Sequence, residues 1–419
     1  MRILFLCADF VWPPNGGGRV RTLSQLRVLS SLPEVDEVRL FTLSEDHVDR
    51  ALRDELAREL PKVGALDPVF HPIHLFRHAR YVPRVAWLRA ARGVPYLAAK
   101  WESRSVRAAL ERELGRARFD VVWLASLGLA RYLDVVRRRQ PHARIVLDGH
   151  NVESDIWRQF AGRQSGVRRR LAETEWRLAL RFERDALRAV DAVAAISDDD
   201  ARAYHELASV HATYVPQVVP FTPPRGTPVR APRICYVGTL SWRPNLRGLD
   251  WFCAEVWPQV RDRLPDATLE IAGSGLPRDG GGAPLVPAAW RVPGVAVLGY
   301  VADLAPLYER SVVLVAPHLE GTGVRMKLLE AFGHGVPVVT TPAGAAGLPI
   351  ENGREAVVEA EPRAFASAVV SVATDVERAR LLRDGAHAFL ERHHGLGTAQ
   401  TAVRVLLGRA EAPAAAPAA

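Results

Sequence analysis

Gly321, Thr322, Gly323, Arg325, Lys327 and Glu330 fall between two apolar runs, VVLVAP from Val312 and VPVVTT from Val336. Glycines without side chains let backbone amides close on an anion, and a helix opening around Thr322 to Arg325 would aim its positive end at the same point. Arg325 and Lys327 add two cations. Glu330, about one turn into that helix, can accept hydrogen bonds from vicinal hydroxyls such as those of a ribose. A phosphate cradle beside a diol acceptor describes a nucleotide-sugar site. The competing reading is an ordinary strand-to-helix turn with a solvated first helical turn, since short motifs recur by chance.

Other segments offer chemistry at the ends of apolar runs. DGHNVES places Asp148, His150, Asn151 and Glu153 after a strand ending at Leu147, where doubly wound sheets hold their ligands. That crowding favours a ligand-contacting role for His150 over a structural one. NGGGR, with Gly17 and Gly18, follows the first strand and precedes a helix, so its backbone can approach an anion or a sugar. It is not a dinucleotide fingerprint, because Arg21 stands where the third glycine belongs. YVGTLSWRPNLRGLDWF gives a strand, a Gly238 turn and a helix after Pro244, with Arg243 and Arg247 near its start, within reach of a diphosphate. Gly299, Tyr300 and Val301 offer backbone groups to a nucleobase edge. AISDDD is explained by Ser197 capping a helix with acids in its first turn.

These segments need a scaffold of parallel strands. Apolar runs alternate with amphipathic helical stretches in both halves of the 419 residues, and the length argues for two domains. The expected strands are Arg2 to Ala8, Glu37 to Thr42, Val121 to Ala125, Arg144 to Leu147 and Ala192 to Ile196, then Arg233 to Val237, Thr268 to Ala272, Val295 to Leu298, Val312 to Ala316 and Val336 to Thr340. The first domain is expected over 1–215, completed by a C-terminal helix about 396–410, and the second over 233–395. Six prolines mark 216–232 as the linker, and 411–419 reads as a disordered tail. Cys7, Cys235 and Cys253 form no metal-spaced set and are expected as buried free thiols in a reducing cytoplasm, with no metal site. No run approaches the roughly 18 apolar residues of a membrane span. The net charge of +8 is uneven: residues 76–118 carry eleven Lys or Arg against three Glu, interleaved with Tyr81, Trp87, Tyr96 and Trp101, and residues 158–188 carry nine Arg against four acids. Such faces suit an anionic membrane surface or simple solvation, and no nucleic-acid module is present.

Taken in order, NGGGR, LDGHNVES, the AIS strand end, GTLSWRPNLRGLDWF, IAGSGLP, LGYVADLAPLYERSVVLVAP and GTGVRMKLLEAFGHGVPVVTTPAGAAG resemble the glycosyltransferase family 4 enzymes, especially bacterial exopolysaccharide-type sugar transferases. The resemblance spans essentially the whole chain. It implies an α/β protein of the GT-B fold, two facing Rossmann-like doubly wound domains with a cleft between them. It further implies a UDP-, GDP- or similarly linked sugar donor on the second domain and a glycan, lipid-linked or small-molecule acceptor on the first, with transfer retaining anomeric configuration and no cofactor or metal. By the same likeness Glu330 holds the donor ribose, and His150 approaches the donor sugar near the diphosphate. Two positions depart from the family: Thr322 stands where many members have a glutamate eight residues before Glu330, and Thr239 and Pro244 stand where many have Arg and Lys. Arg243, Arg325 and Lys327 are the replacements expected to neutralise the diphosphate. A nucleotide-sugar epimerase of the same fold, a nicotinamide oxidoreductase and a non-catalytic partner in polysaccharide assembly are the alternatives.

Overall fold

Successive residues of RILFLC face opposite ways: Ile3, Phe5 and Cys7 join one apolar cluster, Leu4 and Leu6 another. A strand buried on both faces belongs in the middle of a parallel sheet covered by helices. The computed structural model describes residues 1–14, 17–45, 47–72, 78, 81–219, 221–222, 232–277, 279, 284–320 and 325–410. It places this strand, β1 (Arg2–Cys7), between β2 (Glu37–Ser44) and β5 (Val121–Leu124), parallel to both. β3 (Val63–Ala65) extends the sheet beyond β2, and β6 (Arg144–Asp148), β7 (Ala192–Ala195) and β8 (Ala212–Tyr214) extend it beyond β5. β4 (Val69–Phe70) pairs with the end of β2. Helices Gly17–Ser31, Arg50–Glu59 and Leu396–Leu406 supply the apolar residues on one face; helices Arg104–Arg116, Leu133–Arg139, Gly166–Ala189 and Asp198–Ala208 supply them on the other. Ser197 caps the last of these, its hydroxyl accepting from Asp200 N at 3.1 Å.

The second sheet is likewise all parallel, in the order β11 (Val295–Gly299), β10 (Thr268–Ala272), β9 (Arg233–Val237), β12 (Val313–Ala316), β13 (Val338–Thr340), β14 (Val357–Val358). In β9, Ile234 and Tyr236 pack with helices Arg243–Trp251 and Pro362–Thr374, while Cys235 and Val237 pack with helices Met326–Gly333 and Val376–His394. The chain divides into two compact units: one from Met1 to Val218 that regains the helix Leu396–Leu406, the other Val219–Gly395. All three cysteines are buried free thiols. Among the described residues, no helix is long and apolar enough to cross a membrane.

The ten expected strands all form, with ends within two residues of expectation. Four short strands, β3, β4, β8 and β14, were not expected; each has only two or three residues at a sheet margin, too few to show a periodicity. The helix expected to open around Thr322 to Arg325 begins instead at Met326, because Arg325 is extended, with φ −88° and ψ 93°. Gly321, Thr322 and Gly323 lie outside the described residues.

In each sheet the strand order reverses once, between β1 and β5 and between β9 and β12. The crevice outside the carboxyl ends at such a reversal is where doubly wound sheets bind ligands. Both candidate sites lie there.

Candidate functional site

Asp148, the last residue of β6, is fully buried. Arg21, itself buried, donates to it through Nη2 at 2.8 Å and Nε at 3.3 Å, and donates to Val215 O through Nη1 at 3.0 Å. Burial alone would raise the Asp148 pKa, but the charge of Arg21 and then that of His150 outweigh it and hold the carboxyl well below the usual range. Nε2 of His150 lies 2.8 Å from the same carboxylate, at ion-pair distance but without the geometry of a hydrogen bond. Gly149 makes the turn possible: a Cβ there would sit 2.0 Å from the Tyr204 hydroxyl, which donates to Asn151 O at 2.8 Å. Glu183 accepts from the backbone amides of Glu153 and Ser154, both at 2.9 Å, and so anchors the helix Glu153–Gly162 that follows His150. Burial, and next the nearby Glu183, raises the Glu153 pKa.

His150 opens into a pocket of about 320 Å³ whose walls include Asp9, Gly18, Arg19, Thr22 and Ser126. This is the β1/β5 reversal. Arg19 Nε donates to Asp9 Oδ2 at 2.8 Å, so the pocket carries an ion pair and two hydroxyls, groups suited to sugar hydroxyls. Gly17 begins the neighbouring helix. Arg21, noticed in the sequence only as an interruption of the glycine pattern, is the residue that holds Asp148 and through it His150.

At the β9/β12 reversal of the second sheet, Lys327 Nζ donates to Tyr236 Oη at 2.9 Å and to Asn245 Oδ1 at 3.1 Å. It also lies 4.2 Å from the centre of the Tyr236 ring. Asn245 Oδ1 also faces His318 Nε2 at 3.0 Å, and its amide donates to Thr239 O at 2.9 Å. Gly238 leaves room for this ammonium: a Cβ there would lie 2.8 Å from Lys327 Nζ and would push it aside. Arg325 is buried, and its guanidinium lies 5.7 Å from the Trp242 ring centre. Lys327 is therefore bonded to neutral polar and aromatic groups, with the Arg325 charge near it. Lys327 keeps some exposure, yet burial, with Arg325 adding to it and Glu330 opposing, pulls its ammonium down to about 7. Burial, then Lys327 and Arg325, pushes His318 down to about 3, so His318 is neutral. Glu330, one turn past Lys327, has its pKa raised by burial, against the Tyr308 hydroxyl 3.3 Å away and the Lys327 charge.

The solvated reading of Arg325, Lys327 and Glu330 does not survive this packing. The turns after β9, β10 and β11 are tied side by side, Gly238 N to Ala272 O at 3.0 Å and Gly273 N to Gly299 O at 2.7 Å. Gly299 has φ +69° and leads into exposed Tyr300 and half-buried Val301 on the same edge. Arg243 is exposed at the first turn of its helix, and Arg247 pairs with Glu320 at 3.0 Å. Gly238, Arg325, Lys327 and Glu330 thus converge in the second unit, whereas Gly18 and His150 share a pocket of the first.

Residues 231–390 match the family model of glycosyl transferases group 1. The chain is similar, at 22% identity over 403 residues, to an uncharacterized 44.6 kDa protein in the cps region of Klebsiella pneumoniae, over 94% of this chain and 96% of that protein. Among solved structures it is similar to Anabaena HepE in complex with UDP and glucose, with TM-score 0.65 and 14% identity, covering 97% of this chain and 99% of HepE. Sucrose-phosphate synthase from Thermosynechococcus elongatus also matches, with TM-score 0.65 and 14% identity over 98% of each chain. At these identities the likeness establishes the fold, which is GT-B with two Rossmann-like domains.

Proposed function

We propose that this chain is a glycosyltransferase of the group 1 type that moves a sugar from a nucleoside-diphosphate donor to a glycan, lipid-linked or small-molecule acceptor, with retention at the anomeric carbon. The observation that carries it is the desolvated Arg325 and Lys327 pair beside Gly238, at the strand reversal of the domain that matches the family model. A desolvated ammonium held by a phenol and an amide oxygen, as that of Lys327 is, is costly unless an anion completes it. A diphosphate does so, and Lys327 and Arg325 then supply the charge that a metal would otherwise bring to the leaving group. Glu330 accepts from the ribose hydroxyls, and Gly299 to Val301 line the base side. His150 meets the donor sugar, and the Asp9, Thr22 and Ser126 pocket receives the acceptor. HepE, solved with UDP and glucose, makes UDP-glucose the first donor to test. No observation favours the epimerase or the non-catalytic reading.

Thermal-shift screening across nucleoside-diphosphate sugars tests the proposal: at least one should raise the melting temperature with its free diphosphate doing likewise, and a flat response across the panel sinks it. Lys327→Met should weaken diphosphate binding by roughly 10- to 150-fold, the loss of charge-assisted bonds worth about 1.5–3 kcal/mol. The pH dependence follows from the same residue. The free protein holds Lys327 near pKa 7, and a bound diphosphate recharges it, so binding takes up a proton above pH 7 and affinity falls as pH rises. At about pH 8.5, above the second phosphate ionisation near 6, calorimetry in two buffers of different ionisation enthalpy should show uptake in the native protein. The Lys327→Met protein should show none.

A further inference from the structure

The two helices that follow His150 end in a tip whose side chains the packing does not use. Helix Glu153–Gly162 and helix Gly166–Ala189 form a hairpin, buried along its inner side through Ser154, Ala161, Ala172, Glu175 and Ala179. Around the turn at residues 163–165 the pattern inverts. Phe160 is 48% exposed and Val167 72%, flanking the turn, and Ile156 at 47% and Leu171 at 63% lie one helical turn further from it. Each pair is spaced i, i+4, so each forms a stripe along its helix. Arg163, Arg168 and Arg170 are exposed among them and make no ion pair among the described residues, while Arg169 reaches Glu173 at 2.8 Å.

The structure assigns this tip, residues 156–171, as a docking surface for an anionic lipid bilayer. Large apolar side chains held in solvent beside unpaired arginines suit the headgroup boundary: the guanidinium groups meet lipid phosphates while Phe160, Val167, Leu171 and Ile156 enter the acyl margin. A neighbouring helix, Val82–Arg92, is tied to the hairpin by Arg89 Nε on Glu175 at 2.9 Å and adds exposed Val82 and Trp87. The basic stretch 76–118 is a poorer candidate than its charge suggests. Arg107 is held by Asp134 at 2.6 Å and Arg89 by Glu175, and Phe76, Arg77 and Arg80 lie outside the described residues. The hairpin also has a useful length. Its first helix starts three residues after His150 and runs ten residues to the turn, about 15 Å at 1.5 Å per residue. A docked tip would hold the His150 pocket that far from the lipid phosphates, a distance suited to a phosphate-linked lipid acceptor. That last step rests on the proposed function; the docking does not.

Sedimentation of the full chain with vesicles decides the matter. With phosphatidylglycerol vesicles at low salt the protein should pellet, and with phosphatidylcholine alone it should not. R168Q/R170Q should weaken binding about 30-fold, near fivefold per arginine. F160S/V167S/L171S should remove the part that survives about 0.5 M salt, where charges are screened within a few ångströms. Both variants should melt like the native chain and bind UDP equally, which separates loss of docking from misfolding. Native protein that stays in the supernatant with anionic vesicles, or variants that pellet like it, would overturn the assignment. So would a native dimer that ignores vesicles and dissociates in the apolar variant, since the occupant is then a second copy. Absence of binding by every nucleoside diphosphate of the panel in the native protein would sink the glycosyltransferase reading and leave the docking result standing.

Discussion

Arg21→Met is expected to lower the stability of the first domain by roughly 3–5 kcal/mol, the usual loss when one partner of a buried ion pair is removed. The carboxylate of Asp148 has no solvent to fall back on, and the substitution strips it of both guanidinium contacts. It also frees Val215 O, which Arg21 ties at 3.0 Å at the end of the first domain's main segment. The pH dependence has a definite sign. The folded Asp148 titrates well below the ordinary range, so its stabilising contribution is complete above about pH 4 and is lost as pH falls below it. The gap between native and Arg21→Met proteins in chemical denaturation should therefore be widest at neutral pH and narrow toward pH 3. Adding Asp148→Leu should recover much of the loss, because it removes the orphaned charge. Equal stability of the native and Arg21→Met proteins at pH 7 would show that the pair carries no such weight.

The sheets were legible because a parallel strand covered on both faces has to be an apolar run, as RILFLC, RICYV and VVLVAP are. The positions of the two sites followed, since DGHNVES and the Gly238 turn each come straight after such a run. The partners within the sites did not. Arg21 and Asp148 are 127 residues apart, and Lys327 lies 91 residues from Tyr236 and 82 from Asn245. Nothing in local spacing announces that these side chains meet. Arg21 looked like a missing glycine, yet its guanidinium fixes the only carboxylate that touches His150 among the described residues. Charge counting had the same blind spot. Two arginine-rich stretches looked alike until Arg89 and Arg107 of one were seen paired with Glu175 and Asp134, and the exposed apolar stripes appeared beside the arginines of the other.

The largest effect on turnover is expected from His150→Ala, which should lower kcat of sugar transfer by about 10² to 10³, the range found when one preorganised polar contact to the reacting centre is removed. Its geometry argues for a role in the chemical step and not in nucleotide affinity. The cations proposed to meet the diphosphate sit in the second domain around Lys327, while His150 faces the pocket of Asp9, Thr22 and Ser126 in the first. His150 lies beside the Asp148 carboxylate on the wall of that pocket, and its proposed contact to the donor sugar is one made as the sugar approaches the transition state. UDP affinity by calorimetry should then change less than about twofold, since an interaction made only in the transition state lowers kcat and kcat/KM together. A merely structural histidine would behave differently: its loss would lower the melting temperature and leave kcat of the folded fraction intact. The side chain of His150 is 23% exposed, and the Arg21 and Asp148 pair beneath it remains complete without it. Asp148→Asn should give an intermediate loss, because the ring stays but its orienting charge goes. If His150→Ala turns over like the native enzyme, the first-domain pocket contributes no polar contact to the reacting sugar.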